Sequence, residues 1–275
     1  MKTKTWILGA AALVAAASFS FAAETRIWSL GDYSDFEKAK LNGLSLTSDG
    51  RLTLAPVFKE VLDSASVYLW ALAEDSKGNV YAGGGGPGGP GARLYVIPQE
   101  GAGKALASFE ELEIHALAID TKDQVYVGTA PDGKVYRMHG GKSEIFYDPK
   151  AKYIWAMAFD RAGNLFVATG DGGEVHRVTP AGKGEVFYKS SETHARSLAI
   201  DPQGNVIVGT EPGGLLIRVD AKGQGFVLYQ TAKREVTAVA IDGEGAIWAA
   251  AVGTRQGAGA PAAPPAPATV AVSPT

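Results

Sequence analysis

The chain has 275 residues, no cysteine, and 26 Lys plus Arg against 29 Asp plus Glu. A mildly acidic balance without a basic stripe excludes the electrostatic footprint of a nucleic-acid binder. The missing cysteines exclude disulfides, thiolate catalysis and Cys-ligated zinc, so stability has to come from packing.

Residues 1–22 carry the three parts of a secretory signal: Lys2 and Lys4, an apolar run from Trp6, and Ser20-Phe21-Ala22 ahead of the expected cleavage. A periplasmic or extracellular location follows, with no membrane span once the signal is removed. The alternative is an uncleaved anchor, for which the apolar stretch has the length. Residues 23–43 form a lead-in. The segment Ser48 to Ser64 then reads as a third and fourth strand with no first or second.

From there one pattern repeats: WALAEDSKGNVYAGG, HALAIDTKDQVYVGT, WAMAFDRAGNLFVAT, RSLAIDPQGNVIVGT and TAVAIDGEGAIWAAA. Its aspartates are Asp75, Asp120, Asp160, Asp201 and Asp242, a period near forty residues. Small residues alternate with large ones in each first strand, which suits a sheet packed on both faces. The Asp-x-x-Gly-Asn segment is a hairpin turn, with Gly78, Gly163, Gly204 and Gly245 where positive φ is needed; Asp123 replaces the glycine in the second copy. A second apolar strand, a glycine-rich turn, and third and fourth strands complete each unit.

The expected fold is therefore all-β: a β-propeller of four-stranded antiparallel blades over residues 44–254. The fifth repeat ends after two strands. The segment before the first repeat has the complementary two, and pairing them would close a five-bladed ring. Otherwise the chain is a fragment of a six- or seven-bladed propeller. Residues 255–275 are a Pro/Ala-rich tail or linker.

Units such as ALAEDSKGNVYAGG and AIDPQGNVIVGTEPGGLLIRV resemble the repeats of NHL-type, two-component-regulator and gluconolactonase-like propellers. The resemblance implies the architecture and is nearly silent on activity, because such blades carry function on their loops. Gluconolactonase-like members imply a channel cation such as calcium and a lactonase reaction. None of their ligands maps onto a position of this chain.

Catalytic patterns fail on inspection. Gly83, Gly85 and Gly88 match G-x-G-x-x-G, but Pro87 and Pro90 interrupt the helix that motif needs. His176 reads as a packed third-strand residue and His139 as a turn residue. Asp132, Asp171 and Glu211 occupy corresponding turns, with ordinary solvated turn chemistry the favoured reading. One column stands out. The residue opening each first strand is Trp70, His115, Trp155, Arg196 or Thr237, while its neighbours stay small or aliphatic. At a channel mouth, Trp70, His115, Trp155 and Arg196 would bind a small polar or anionic ligand; the competing reading packs them between blades with Leu72 and Met157. The functional expectation is an exported, non-catalytic binding, sensing or scaffold propeller with no cofactor, whose partner is a protein or a small polar ligand. The alternative is a cation-dependent hydrolase such as a lactonase.

Overall fold

A computed structural model of the chain describes residues 40–47, 49–57 and 59–254. The signal-like segment, most of the lead-in and the Pro/Ala-rich tail lie outside the described residues. The chain divides into two compact units, Met1–Lys59 and Glu60–Thr275.

In the first unit, β1 (Leu44–Leu46) pairs antiparallel with β2 (Leu52–Leu54), with Leu44 opposite Leu54. The turn between them is local: the Thr47 amide donates to the Arg51 carbonyl at 2.9 Å.

Among the described residues the second unit contains eighteen strands, β3 to β20. Blade 1 is β3 (Tyr68–Glu74), β4 (Val80–Gly85), β5 (Arg93–Ile97) and β6 (Lys104–Ser108). Blade 2 is β7 (Glu113–Ile119), β8 (Val125–Ala130), β9 (Gly133–His139) and β10 (Lys142–Ala151). Blade 3 runs through β11 (Tyr153–Phe159), β12 (Leu165–Gly170), β13 (Glu174–Val178) and β14 (Gly184–Lys189). Blade 4 runs through β15 (His194–Ile200), β16 (Val206–Glu211), β17 (Leu215–Val219) and β18 (Gly225–Gln230). Each is an antiparallel meander, and a bridge between Gly170 and His194 joins blades 3 and 4 into one sheet. The chain then forms a half-blade from β19 (Lys233–Ile241) and β20 (Ile247–Thr254).

The turns form as their composition requires. Asp160 Oδ1 accepts the Asn164 amide at 2.8 Å, and Oδ2 accepts the Asn164 side-chain amide at 2.8 Å. Gly163 takes φ +82° and donates to the Asp160 carbonyl. Asp123, standing for that glycine with φ +62°, has a further use. Its carboxylate accepts the Ser76 amide and hydroxyl, both at 2.8 Å, and so ties the blade 2 turn to the blade 1 turn. Those two bonds hold its pKa below the usual carboxylate value.

Packing lies between blades. One core, between blades 2 and 3, holds Ala116, Ala118, Ile154, Met157, Leu165 and Val167; another, between blades 3 and 4, holds Phe166, Ala168, Ala195, Val206 and Val208. Each fully buried aliphatic side chain there contributes roughly 1.5–3 kcal/mol. The second strand's small residue sets how close blades come. A Cβ at Gly83 would lie 2.4 Å from Ile114, one at Gly128 2.5 Å from Ile154, and one at Gly209 2.6 Å from Val236. In blade 3 the same position is Ala168, and the facing residue is the smaller Ala195.

The strands expected to close a five-bladed ring pair locally, each within its own unit. β2 pairs with β1, and β20 pairs with β19 alone. The Val61 carbonyl instead accepts the Gly103 amide at 2.7 Å, and Ser66 Oγ lies 3.0 Å from Tyr95 Oη, so this stretch runs along the outer strands of blade 1. Leu44-Ser45-Leu46 supplies β2 with an alternating partner a few residues upstream, and a short hairpin closes at a lower entropic cost than a pairing across the whole chain.

Candidate functional site

Every first strand carries a β-bulge at one position. The registers break between Leu69 and Ala71, Ile114 and Ala116, Ile154 and Ala156, Ala195 and Ser197, and Val236 and Ala238. The residues skipped are Trp70, His115, Trp155, Arg196 and Thr237, the variable column. A bulged residue has no cross-strand partner to match, and a bulge re-aims its side chain. The variability of this column follows from that freedom.

The bulge also corrects the face on which these residues were expected to compete for packing. Strict alternation puts Trp155 beside Met157. Instead Ile154 and Met157 share the core against blade 2, and Trp155 is absent from it. Likewise Ile114 and Leu117 both approach Gly83 of blade 1.

The column residues of successive blades touch one another. The Trp70 and His115 ring centroids are 5.3 Å apart, and those of His115 and Trp155 are 4.8 Å apart in an edge-on contact. The guanidinium carbon of Arg196 lies 3.8 Å from the centroid of the Trp155 ring. Thr237 is exposed, and its hydroxyl donates to the Ala250 carbonyl at 3.3 Å. Trp70, His115, Trp155 and Arg196 are thus one continuous row.

A second column, two residues earlier, supports it. Tyr68 lies 5.0 Å from Trp70, and Tyr153 stacks on Trp155 at 4.7 Å with 11° between planes. Glu113 Oε2 lies 2.7 Å from His115 Nε2. Trp155 Nε1 donates to His194 Nδ1 at 3.1 Å, and Arg196 Nε donates to Glu235 at 2.5 Å. The residues of this second column were missed as a set. The recurrent Tyr-x-Trp at Tyr68/Trp70 and Tyr153/Trp155 was the available signal.

The row is unevenly open. Trp70 is 49% exposed and Tyr68 48%, while Trp155 is partly covered and engaged by four neighbours. Burial lowers the His115 pKa, against the opposing pull of Glu113 and with a further push from Arg196, so the imidazole is neutral at pH 7. Neutral His115 donates from Nε2 to Glu113, leaving Nδ1 as an acceptor. Burial likewise lowers the pKa of His194.

Beyond the row, the turn of blade 2 and the link into blade 3 border an open depression of about 500 Å³ lined by Asp132, Lys134, Asp148, Lys150, Lys152 and Asp171. Asp132 and Asp171 both line it, whereas Glu211 pairs with Arg234 at 3.1 Å. Two of the three lysines in that wall are already paired, Lys134 with Glu111 at 2.8 Å and Lys150 with Asp148 at 2.5 Å. Among the described residues no three His, Asp or Glu side chains are grouped to hold a metal ion. His176 is buried in its strand, where its Nδ1 lies 2.9 Å from the Tyr147 hydroxyl. His139 ends β9, exposed.

No family model matches the chain, and no curated protein matches it. Solved structures do. Virginiamycin B lyase from Staphylococcus aureus aligns with TM-score 0.59 at 14% identity, over 77% of this chain and 70% of that one. A putative gluconolactonase aligns with TM-score 0.55 at 16% identity, over 77% and 78%. The extracellular domain of a putative hybrid two-component system from B. thetaiotaomicron aligns with TM-score 0.54 at 17% identity, over 70% of this chain and 27% of that one. Identities this low carry the architecture and not the activity. Four antiparallel four-stranded blades, a repeat near forty residues and these structural neighbours identify the chain as a β-propeller.

Proposed function

We propose that the protein is a ligand-binding propeller exported from the cytoplasm, and that its ligand seats on the bulged row of Trp70, His115, Trp155 and Arg196. The observation that carries this reading is the bulge repeated in every first strand at the one column whose chemistry varies. A position freed from pairing and from the inter-blade core holds two indoles, an imidazole and a guanidinium in continuous contact, and such side chains make an aromatic, hydrogen-bonding surface. The signal-like residues 1–22 support export. Among the described residues no helix is long and apolar enough to cross a membrane.

A thermal-shift screen of polar metabolites against the full chain tests the reading. Ligands that raise the melting temperature should lose their effect in Trp70→Leu and His115→Gln and keep it in Trp248→Leu, whose indole lies in the half-blade. Hits indifferent to the row variants would contradict it.

One observation favours a second reading, that of a hydrolase. The Glu113 carboxylate orients His115 and leaves Nδ1 available as a base, an arrangement that serves proton transfer. Turnover of lactones or phosphoesters that is abolished by His115→Gln would establish it. An EDTA arm separates a metal-dependent reaction from one carried by the pair alone.

A further inference from the structure

The two Tyr-x-Trp pairs occupy the same positions of blades 1 and 3 and differ in what lies on them. In blade 3 both rings hold cations: Lys152 Nζ sits 5.2 Å from the centroid of Tyr153, and Arg196 sits over Trp155 at 3.8 Å. In blade 1 the residue corresponding to Lys152 is Val67, and the residue corresponding to Arg196 is His115. Burial keeps that imidazole uncharged at neutral pH. Among the described residues no lysine or arginine lies over Tyr68 or Trp70.

Blade 1 therefore repeats the aromatic half of a cation-holding arrangement without the cation. The rings are tilted by 36° at 5.0 Å and half-exposed, which leaves room for a planar or rounded cationic head. A carboxylate is linked to the pair through His115. Glu113 gives Oε2 to His115, which contacts Trp70, and its Oε1 has no hydrogen-bond partner among the described residues. Arg196 is already neutralised by Glu235 and covers Trp155, so the row has no cationic group free to receive an anion. The ring quadrupole and the carboxylate favour the same sign of charge.

From this internal repeat we infer that Tyr68, Trp70 and Glu113 form a binding site for an organic cation, a guanidinium or alkylammonium head group. The inference deepens the ligand-binding reading above and rests on it.

Isothermal titration of the full chain with Nα-acetyl-arginine amide, its neutral isostere Nα-acetyl-citrulline amide, choline and acetate tests it. The arginine amide or choline should bind about tenfold tighter than the citrulline amide or acetate, the scale of one partly desolvated cation–π contact with a nearby carboxylate. Trp70→Leu should remove that preference, Trp70→Phe should retain part of it, and Glu113→Gln should weaken cations while leaving neutral probes unchanged. Trp70→Phe keeps an aromatic ring and decides the matter if Trp70→Leu does not fold. Equal binding of the arginine and citrulline amides, or a cation preference indifferent to both Trp70 variants, overturns the assignment. If neither cation binds and a neutral or anionic metabolite binds in a Trp70-dependent way, the cation class falls and the row remains. If nothing depends on Trp70, both fall.

Discussion

Ile154 and Met157 stand three residues apart on one strand and pack into the same core against blade 2. In a regular strand, residues three apart point to opposite faces. The bulge at Trp155 reconciles the two, and the same spacing recurs at Ile114 and Leu117, both of which approach Gly83. The inter-blade core and the bulged row are thus separated by a single inserted residue per strand.

Trp155 and Trp70 hold equivalent positions but have different surroundings, so their truncation should separate cleanly. Trp155→Ala removes a ring engaged by Tyr153, His115, His194 and Arg196 and should cost about 3–5 kcal/mol in urea unfolding. Trp70→Ala, half-exposed at the free end of the row, should cost about 1–2 kcal/mol. Equal losses would show that the row is packing throughout.

The glycines of the second strands should behave as size partners of the next blade. Gly128→Ala places a methyl 2.5 Å from Ile154 and should destabilise by about 1–3 kcal/mol. Blade 3 already pairs Ala168 with Ala195. Combining Gly128→Ala with Ile154→Ala should therefore cost less than the two changes added, with a coupling above about 1 kcal/mol in a double-mutant cycle. Simple additivity would mean that the backbones shift to absorb the methyl.

Stability should fall between neutral and mildly acidic pH through buried histidine. Burial lowers the His176 pKa from its ordinary value of 6.5, against the pull of Glu174, which lies 3.3 Å from Nε2 without hydrogen-bond geometry and is itself engaged by Lys189. The Tyr147 hydroxyl lies 2.9 Å from Nδ1. A folded-state pKa below the unfolded one means that the contribution is fully present above pH 6.5. It is lost as pH falls from there through the depressed folded value. His115 and His194 act in the same direction. His176→Ile, which copies Ile217 of blade 4, should flatten this part of the urea-stability profile; an unchanged slope would assign it to other groups.

Much of this fold is legible along the chain. Asp-x-x-Gly-Asn turns, alternating first strands and third strands such as Glu174–Val178 lie where residue chemistry places them. The bulged positions were legible as a column of residues, because Trp70, His115, Trp155 and Arg196 differ where their neighbours do not. Its geometry was not. Period-two reading from Met157 put Trp155 on the core face, and only the three-residue spacing of Ile154 and Met157 shows otherwise. Glu113, Tyr68 and Tyr153 escaped because Glu and Tyr on an alternating strand look like ordinary flanking residues, and their value lies in contacts with the bulged neighbour. Pairing of residues 51–62 with the last half-blade was read from which strands were missing. β2 forms a local hairpin with β1, and complementarity between distant segments carries no information on which partner closes first.

The most direct measurement of the central claim is a nitrogen-15 tryptophan indole spectrum during titration with a thermal-shift hit. Trp155 Nε1 bonds to His194 and Trp248 Nε1 to Asp242, which gives each of those signals its own environment, and Trp→Phe variants assign them. Ligand binding on the bulged row should move the Trp70 signal most, Trp155 less, and leave Trp248 in place. A saturable ligand that shifts Trp248 or no indole at all, with Trp70 unmoved, would contradict the account.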